Sequence, residues 1–92
     1  MVSRLVLGCG TTGHAVVETL TERRGDLFVL DGDESRVESL RNEKVAAEVR
    51  DVTDPAAIER LDMDVDVVVV AGDVANQNRR AAEAARVVYP DA

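Results

Sequence analysis

Gly8-Cys9-Gly10-Thr11-Thr12-Gly13 carries the spacing G-x-G-x-x-G between an apolar run and a helical pattern. That combination suits a phosphate-bearing ligand. Gly8 permits a tight turn, and Gly10 lets a pyrophosphate approach the backbone. Gly13 lets the following helix pack close to a sheet. The helix would start with unpaired N–H groups and the positive end of its dipole aimed at the phosphates. Thr11 and Thr12 could add hydroxyl donors. The sequence thus predicts bare backbone amides at the entrance to the first helix. The competing reading is a tight strand-to-helix turn with no ligand.

An acid is expected at the end of the next strand, and Asp31 stands 18 residues after Gly13, followed by Gly32. Its carboxylate would accept hydrogen bonds from ribose hydroxyls. A 2′-phosphate there would meet like charge, which favours NAD(H) over NADP(H). Arg36 is the nearby cation that could take a phosphate instead, although it reads first as a solvated helix residue. Asp33 reads as a helix cap. Asp51 and Val52 follow the third strand, where this fold places adenine. Asp51 could accept from the adenine amino group, or could bond its own loop backbone. Gly72 and Asp73 follow the fourth strand, across the crevice, and Asn76 is expected to face the ligand. Asn78 is expected to be solvated or packed.

The other reactive side chains form no catalytic set. His14 has no partner or substrate pocket assigned to it, and Cys9 lacks an activating base. Cys9 and His14 alone cannot fill a tetrahedral metal site. The alternating acids Asp62, Asp64 and Asp66 lack the glycine and terminal glutamate of a calcium loop. No catalytic residue and no metal ligand is expected.

The elements that must position these residues follow from apolar periodicity. Strands are predicted at Ser3 to Leu7, Leu27 to Leu30, Lys44 to Val49 and Val67 to Ala71. The first helix would run to Gly25, with Ala15, Val16 and Leu20 inward and Arg23 and Arg24 in its last turn. The second would be capped by Asp33, with Val37 and Leu40 inward. The third opens at Thr53-Asp54-Pro55 and runs through Leu61. The fourth leads from Gly72-Asp73 to about Val88, before Pro90. Alternating strands and helices predict an α/β, Rossmann-like doubly wound parallel sheet in the order 3-2-1-4.

A chain of 92 residues with 46% hydrophobic content is read as one domain, residues 1–92, with a packed core. Its net charge of -7 opposes nucleic acid or an anionic membrane surface as a partner. Of its 11 basic residues, only Lys44 is a lysine, an acidic and lysine-poor balance that suits a salt-rich cytosol. One cysteine rules out an internal disulfide, and no apolar run approaches a membrane span. The expected location is cytoplasmic. A full doubly wound sheet adds a strand beside the fourth. The sheet is therefore expected to be truncated, with a second copy, a swapped element or a downstream domain covering that edge.

The segments LVLGCGTTGHAVVETL, VLDGDESRVESLR, VRDVTDP and VVVVAGDVANQNRRAAEAAR together resemble the RCK N-terminal domain, also called TrkA-N, over essentially the whole chain. The resemblance implies a regulatory domain that binds NAD(H) or an adenine nucleotide such as ATP, ADP or AMP and controls potassium transport, commonly as a dimer. It assigns phosphates to Gly8, Gly10 and Gly13, ribose to Asp31 and adenine to Asp51. Ala71, Gly72, Asp73 and Asn76 would line the far side. Thr11 departs from the arginine common in the family, which removes a phosphate-reaching cation.

The leading expectation is therefore a non-catalytic nucleotide-binding regulatory domain. Two alternatives accompany it. The sequence also looks like TrkA-N modules preceding DHH-type phosphoesterase domains in salt-loving microbes, which would make it a sensor for an attached enzyme. The remaining reading is the cofactor half of an NAD-dependent dehydrogenase, which would need a substrate domain elsewhere.

Overall fold

The computed structural model describes residues 2–92, apart from the side chain of Thr12. Strands β1 (Ser3–Leu7), β2 (Asp26–Asp31), β3 (Ala47–Val49) and β4 (Val67–Val70) alternate with helices α1 (Thr11–Thr21), α2 (Glu34–Asn42), α3 (Pro55–Glu59) and α4 (Ala75–Val88). All pairings are parallel, and the strand order is β3-β2-β1-β4. This is the doubly wound Rossmann-like α/β arrangement expected from the alternation. Leu7 lies opposite Leu30 on one side and Val70 on the other, so β1 and β4 end level and β2 runs one residue further, to Asp31.

Successive side chains on a strand face opposite ways, so a strand covered on both faces must be apolar throughout. β1 shows the consequence. Val6 enters a core with Val17 of α1 and Val37 and Leu40 of α2. Leu5 and Leu7 enter a second core with Ile58 of α3 and Ala81, Ala84 and Ala85 of α4. Each large aliphatic side chain buried in these layers contributes roughly 1.5–3 kcal/mol. With one phenylalanine and one tyrosine in the chain, aliphatic residues carry nearly all of this packing.

Several boundaries differ from the periodicity, each for a local reason. α1 ends at Thr21, where the amides of Glu22 and Arg23 donate to Thr19 and Leu20 in tightened three-residue bonds. Arg23 and Arg24 therefore lie beyond the helix rather than in its last turn. The inward stripe of α1 is buried Gly13 and Val17 with half-buried Leu20, whereas Ala15 is exposed. The rotation follows from Gly13, whose missing side chain allows close contact with the Ala71 carbonyl.

β3 starts at Ala47 because Lys44 and Val45 are used to end α2. Lys44 adopts φ +65°, its amide donates to Arg41, and the Val45 amide donates to Leu40. This is a Schellman closure with lysine in the left-handed position. α3 is capped by Asp54, with Pro55 in its first turn, and stops at Glu59. α4 begins at Ala75 because the Asn78 side chain binds both the amide and the carbonyl of Gly72 (3.0 and 2.7 Å), holding that residue outside the helix.

Candidate functional site

Open α/β sheets receive ligands outside the carboxyl ends of the strands, where the order reverses. Here the reversal falls between β1 and β4, and a cleft of about 960 Å³ opens there. That is at the upper end of the usual range of about 300–1,000 Å³ for small-molecule sites. Gly8, Asp31, Gly32, Asp51, Val52, Gly72 and Asp73 all border it. These expected residues come from the ends of all four strands, so the fold converges segments far apart in sequence.

Gly8 takes φ +80° as β1 ends, and its amide donates to the Leu30 carbonyl at 2.7 Å. Gly10 then caps α1 with no side chain, while its amide donates to Ala71 at 3.1 Å. Gly13 and Ala71 pack together behind the loop instead of bordering the cleft. Gly10 and Thr11 border an adjoining hollow between α1 and α2. The Thr12 side chain lies outside the described residues.

The helix entrance is not bare. The Asp73 carboxylate accepts a hydrogen bond from the Thr11 amide at 3.0 Å, and a Cβ on Gly10 would overlap that carboxylate. This corrects the expectation of uncovered amides. The physical reason is the partial positive charge at a helix start without its own cap, which attracts the nearest anion. A carboxylate on a glycine-loop amide also shows that this position accepts an anionic oxygen.

Asp31 is buried at the cleft floor. Its Oδ2 accepts from the Cys9 amide at 2.7 Å, and its Oδ1 accepts from the Asp33 amide at 2.8 Å. It therefore fastens the glycine loop to the end of β2. An ionised carboxylate has about four acceptor positions, so roughly two remain for a ligand. Asp33 caps α2 through the amides of Ser35 and Arg36, as its position implied.

Arg36 is more than a solvated helix residue. Its guanidinium lies 3.9 Å from Asp31, 4.0 Å from Asp33 and 3.6 Å from Asp73. It spans the cleft from α2 to the loop after β4. Periodicity within α2 could mark its face but not the three carboxylates it meets. Gln77 and Arg80 also reach the cleft from α4. Gln77 and Arg80 stand three residues apart and so share one face of α4, which is the signal that could have found them.

Asp51 Oδ1 accepts from both the amide (3.0 Å) and the hydroxyl (2.6 Å) of Thr53. These bonds favour the charged form and hold the Asp51 carboxyl below its usual range. The self-bonded loop reading and the cleft position therefore hold together. Asn76 lies outside the cleft walls, where it accepts from Arg79. Asn78, by contrast, borders the cleft and packs on Gly72.

Burial pushes the Cys9 thiol pKa up, and the Asp31 carboxylate adds to the effect, which disfavours the reactive thiolate. His14 Nε2 lies 3.0 Å from Glu43, and Nδ1 lies 3.5 Å from Glu18. The hydrogen bond and charge of Glu43 raise the His14 pKa. One candidate ligand atom from each of these three residues lies within 4.8 Å of the others. The carboxylates address opposite ring nitrogens, so the imidazole bridges them and presents no single lone pair to both.

The sequence matches the family model of the TrkA-N domain over residues 4–92. The chain belongs to the TrkA-N domain family. Among curated proteins, none matches it. A TrkA-N domain is a Rossmann-type nucleotide-binding module, in keeping with the strand order and the cleft described above. Among the described residues, no helix of this TrkA-N domain is long and apolar enough to cross a membrane.

Proposed function

We propose that this TrkA-N domain is a non-catalytic cytoplasmic regulatory module that binds NAD(H), or another adenine nucleotide, and controls a potassium transport system. The observation that carries the reading is the buried Asp31 carboxylate beside a glycine loop that already holds an anionic oxygen. The diphosphate would take the Thr11 amide, with Arg36 as the nearest cation. The two remaining acceptor positions of Asp31 would bind the ribose hydroxyls. Adenine would lie beside Asp51 and Val52, where both hydrogen bonds from Thr53 fall on Oδ1 of Asp51 and leave Oδ2 to an amino group.

Selectivity follows from charge. Asp31, Asp33 and Asp73 surround the single guanidinium of Arg36. A 2′-phosphate near Asp31 would add like charge to this group, so NAD(H) is preferred over NADP(H). Calorimetric titration with NADH, NADPH, ATP and AMP tests the reading. Saturable binding of NADH or an adenine nucleotide, with NADPH weaker, is expected. Failure of all four to bind at millimolar concentration would overturn it.

β4 pairs only with β1 among the described residues, and Val67 on it is exposed. An open parallel edge is a template for further pairing. We place a second copy or another protein segment along it, as the means by which ligand state is communicated.

A further inference from the structure

We propose that Asp73 sets the nucleotide affinity of the cleft, because its carboxylate holds the phosphate position and competes with the ligand's diphosphate for the Thr11 amide. This rests on the nucleotide-binding reading above and adds an internal competitor to it.

Three contacts define the competitor. Asp73 Oδ1 and Oδ2 lie 3.0 and 3.4 Å from the Thr11 amide nitrogen. The carboxylate packs on the bare α-carbon of Gly10. Its Oδ2 lies 3.6 Å from the Arg36 guanidinium. A backbone amide at a helix start, a side-chain-free approach and a guanidinium are the features that recognise a phosphate oxygen. Asp73 therefore uses the same recognition groups as a nucleoside diphosphate, and both anions cannot occupy them together.

The fold lets this carboxylate move without dragging the sheet. Gly72 before it is fixed by two bonds to Asn78. Val74 after it is exposed and, as the residue preceding α4, offers no side-chain cap. The Asp73 side chain is 43% exposed, so rotation delivers it to water rather than into the core. Only molecules in which the carboxylate has left the amide are competent, so a carboxylate in place about nine-tenths of the time would weaken apparent affinity about ten-fold. A ligand without phosphate does not compete for the Thr11 amide and escapes this effect.

The test compares ADP with adenosine by calorimetry on the wild-type chain and on Asp73→Ala, with circular dichroism confirming that the variant folds. The variant should bind ADP about ten-fold more tightly, with adenosine affinity changed less than about two-fold. The Thr11 amide resonance should shift in the variant, and in the wild type on adding ADP but not adenosine. Equal ADP affinity in both proteins would overturn the role of Asp73 and leave the nucleotide reading standing. Weaker ADP binding by the variant, or equal tightening for both ligands, would also overturn it. Binding of neither ligand to either protein would overturn this inference, and failure of NADH as well would overturn the nucleotide reading with it. Asp73→Asn can still accept from Thr11 and should lie between the wild type and Asp73→Ala.

Discussion

Replacing Asp31 with alanine removes the one carboxylate that joins the glycine loop to the end of β2. In the native chain it accepts the buried Cys9 amide at 2.7 Å and the part-buried Asp33 amide at 2.8 Å. Hydrogen bonds to charged groups contribute about 1.5–3 kcal/mol each, and a donor left unpaired in the interior keeps its desolvation cost. The Asp33 amide can turn to water, so its share falls at the low end. Arg36, at 3.9 Å and 44% exposed, adds little through solvent. The expected loss is about 3 kcal/mol, against a total of roughly 5–14 kcal/mol for a domain of this size. Asp31→Ala should therefore fold, but melt about 10–25 °C lower. Urea unfolding followed by circular dichroism measures the difference directly. Asp31→Asn keeps the shape but exchanges one acceptor oxygen for a donor, so it should fall between alanine and the wild type. A loss below about 1 kcal/mol for the alanine variant would show that the carboxylate does not hold the loop through these two bonds.

Two further outcomes follow from the packing and charge around α1. Gly13→Ala places a methyl group against the Ala71 backbone carbonyl, so the helix must shift away from β4. A loss of about 1–3 kcal/mol is expected in urea unfolding, and an unchanged midpoint would contradict the close contact. His14 has a folded-state pKa raised by Glu43, so this contact stabilises the fold fully below the unfolded histidine pKa of about 6.5. That contribution is lost as the pH rises through the folded-state value. Proton NMR titration should show a lower His14 pKa in Glu43→Gln, and no change would remove Glu43 as the cause.

Local pattern specified much of this domain. Alternating apolar strands and helical segments imposed a parallel doubly wound sheet, because strands buried on both faces need helices on each side. Asp33 and Asp54 could be read as caps because an N-cap depends on a few neighbouring amides. The glycine spacing and Asp31 marked the cleft for the same reason: their roles follow from position relative to adjacent elements. Tertiary structure decided where the charges meet. Arg36 comes from α2 and Asp73 from the loop after β4, and only the crossover geometry brings them within 3.6 Å. The anion on the Thr11 amide is a residue 62 positions away, a pairing that no local periodicity encodes. The inward face of α1 was settled in the same way, when close contact between Gly13 and Ala71, just past β4, turned Val17 into the core and Ala15 to solvent.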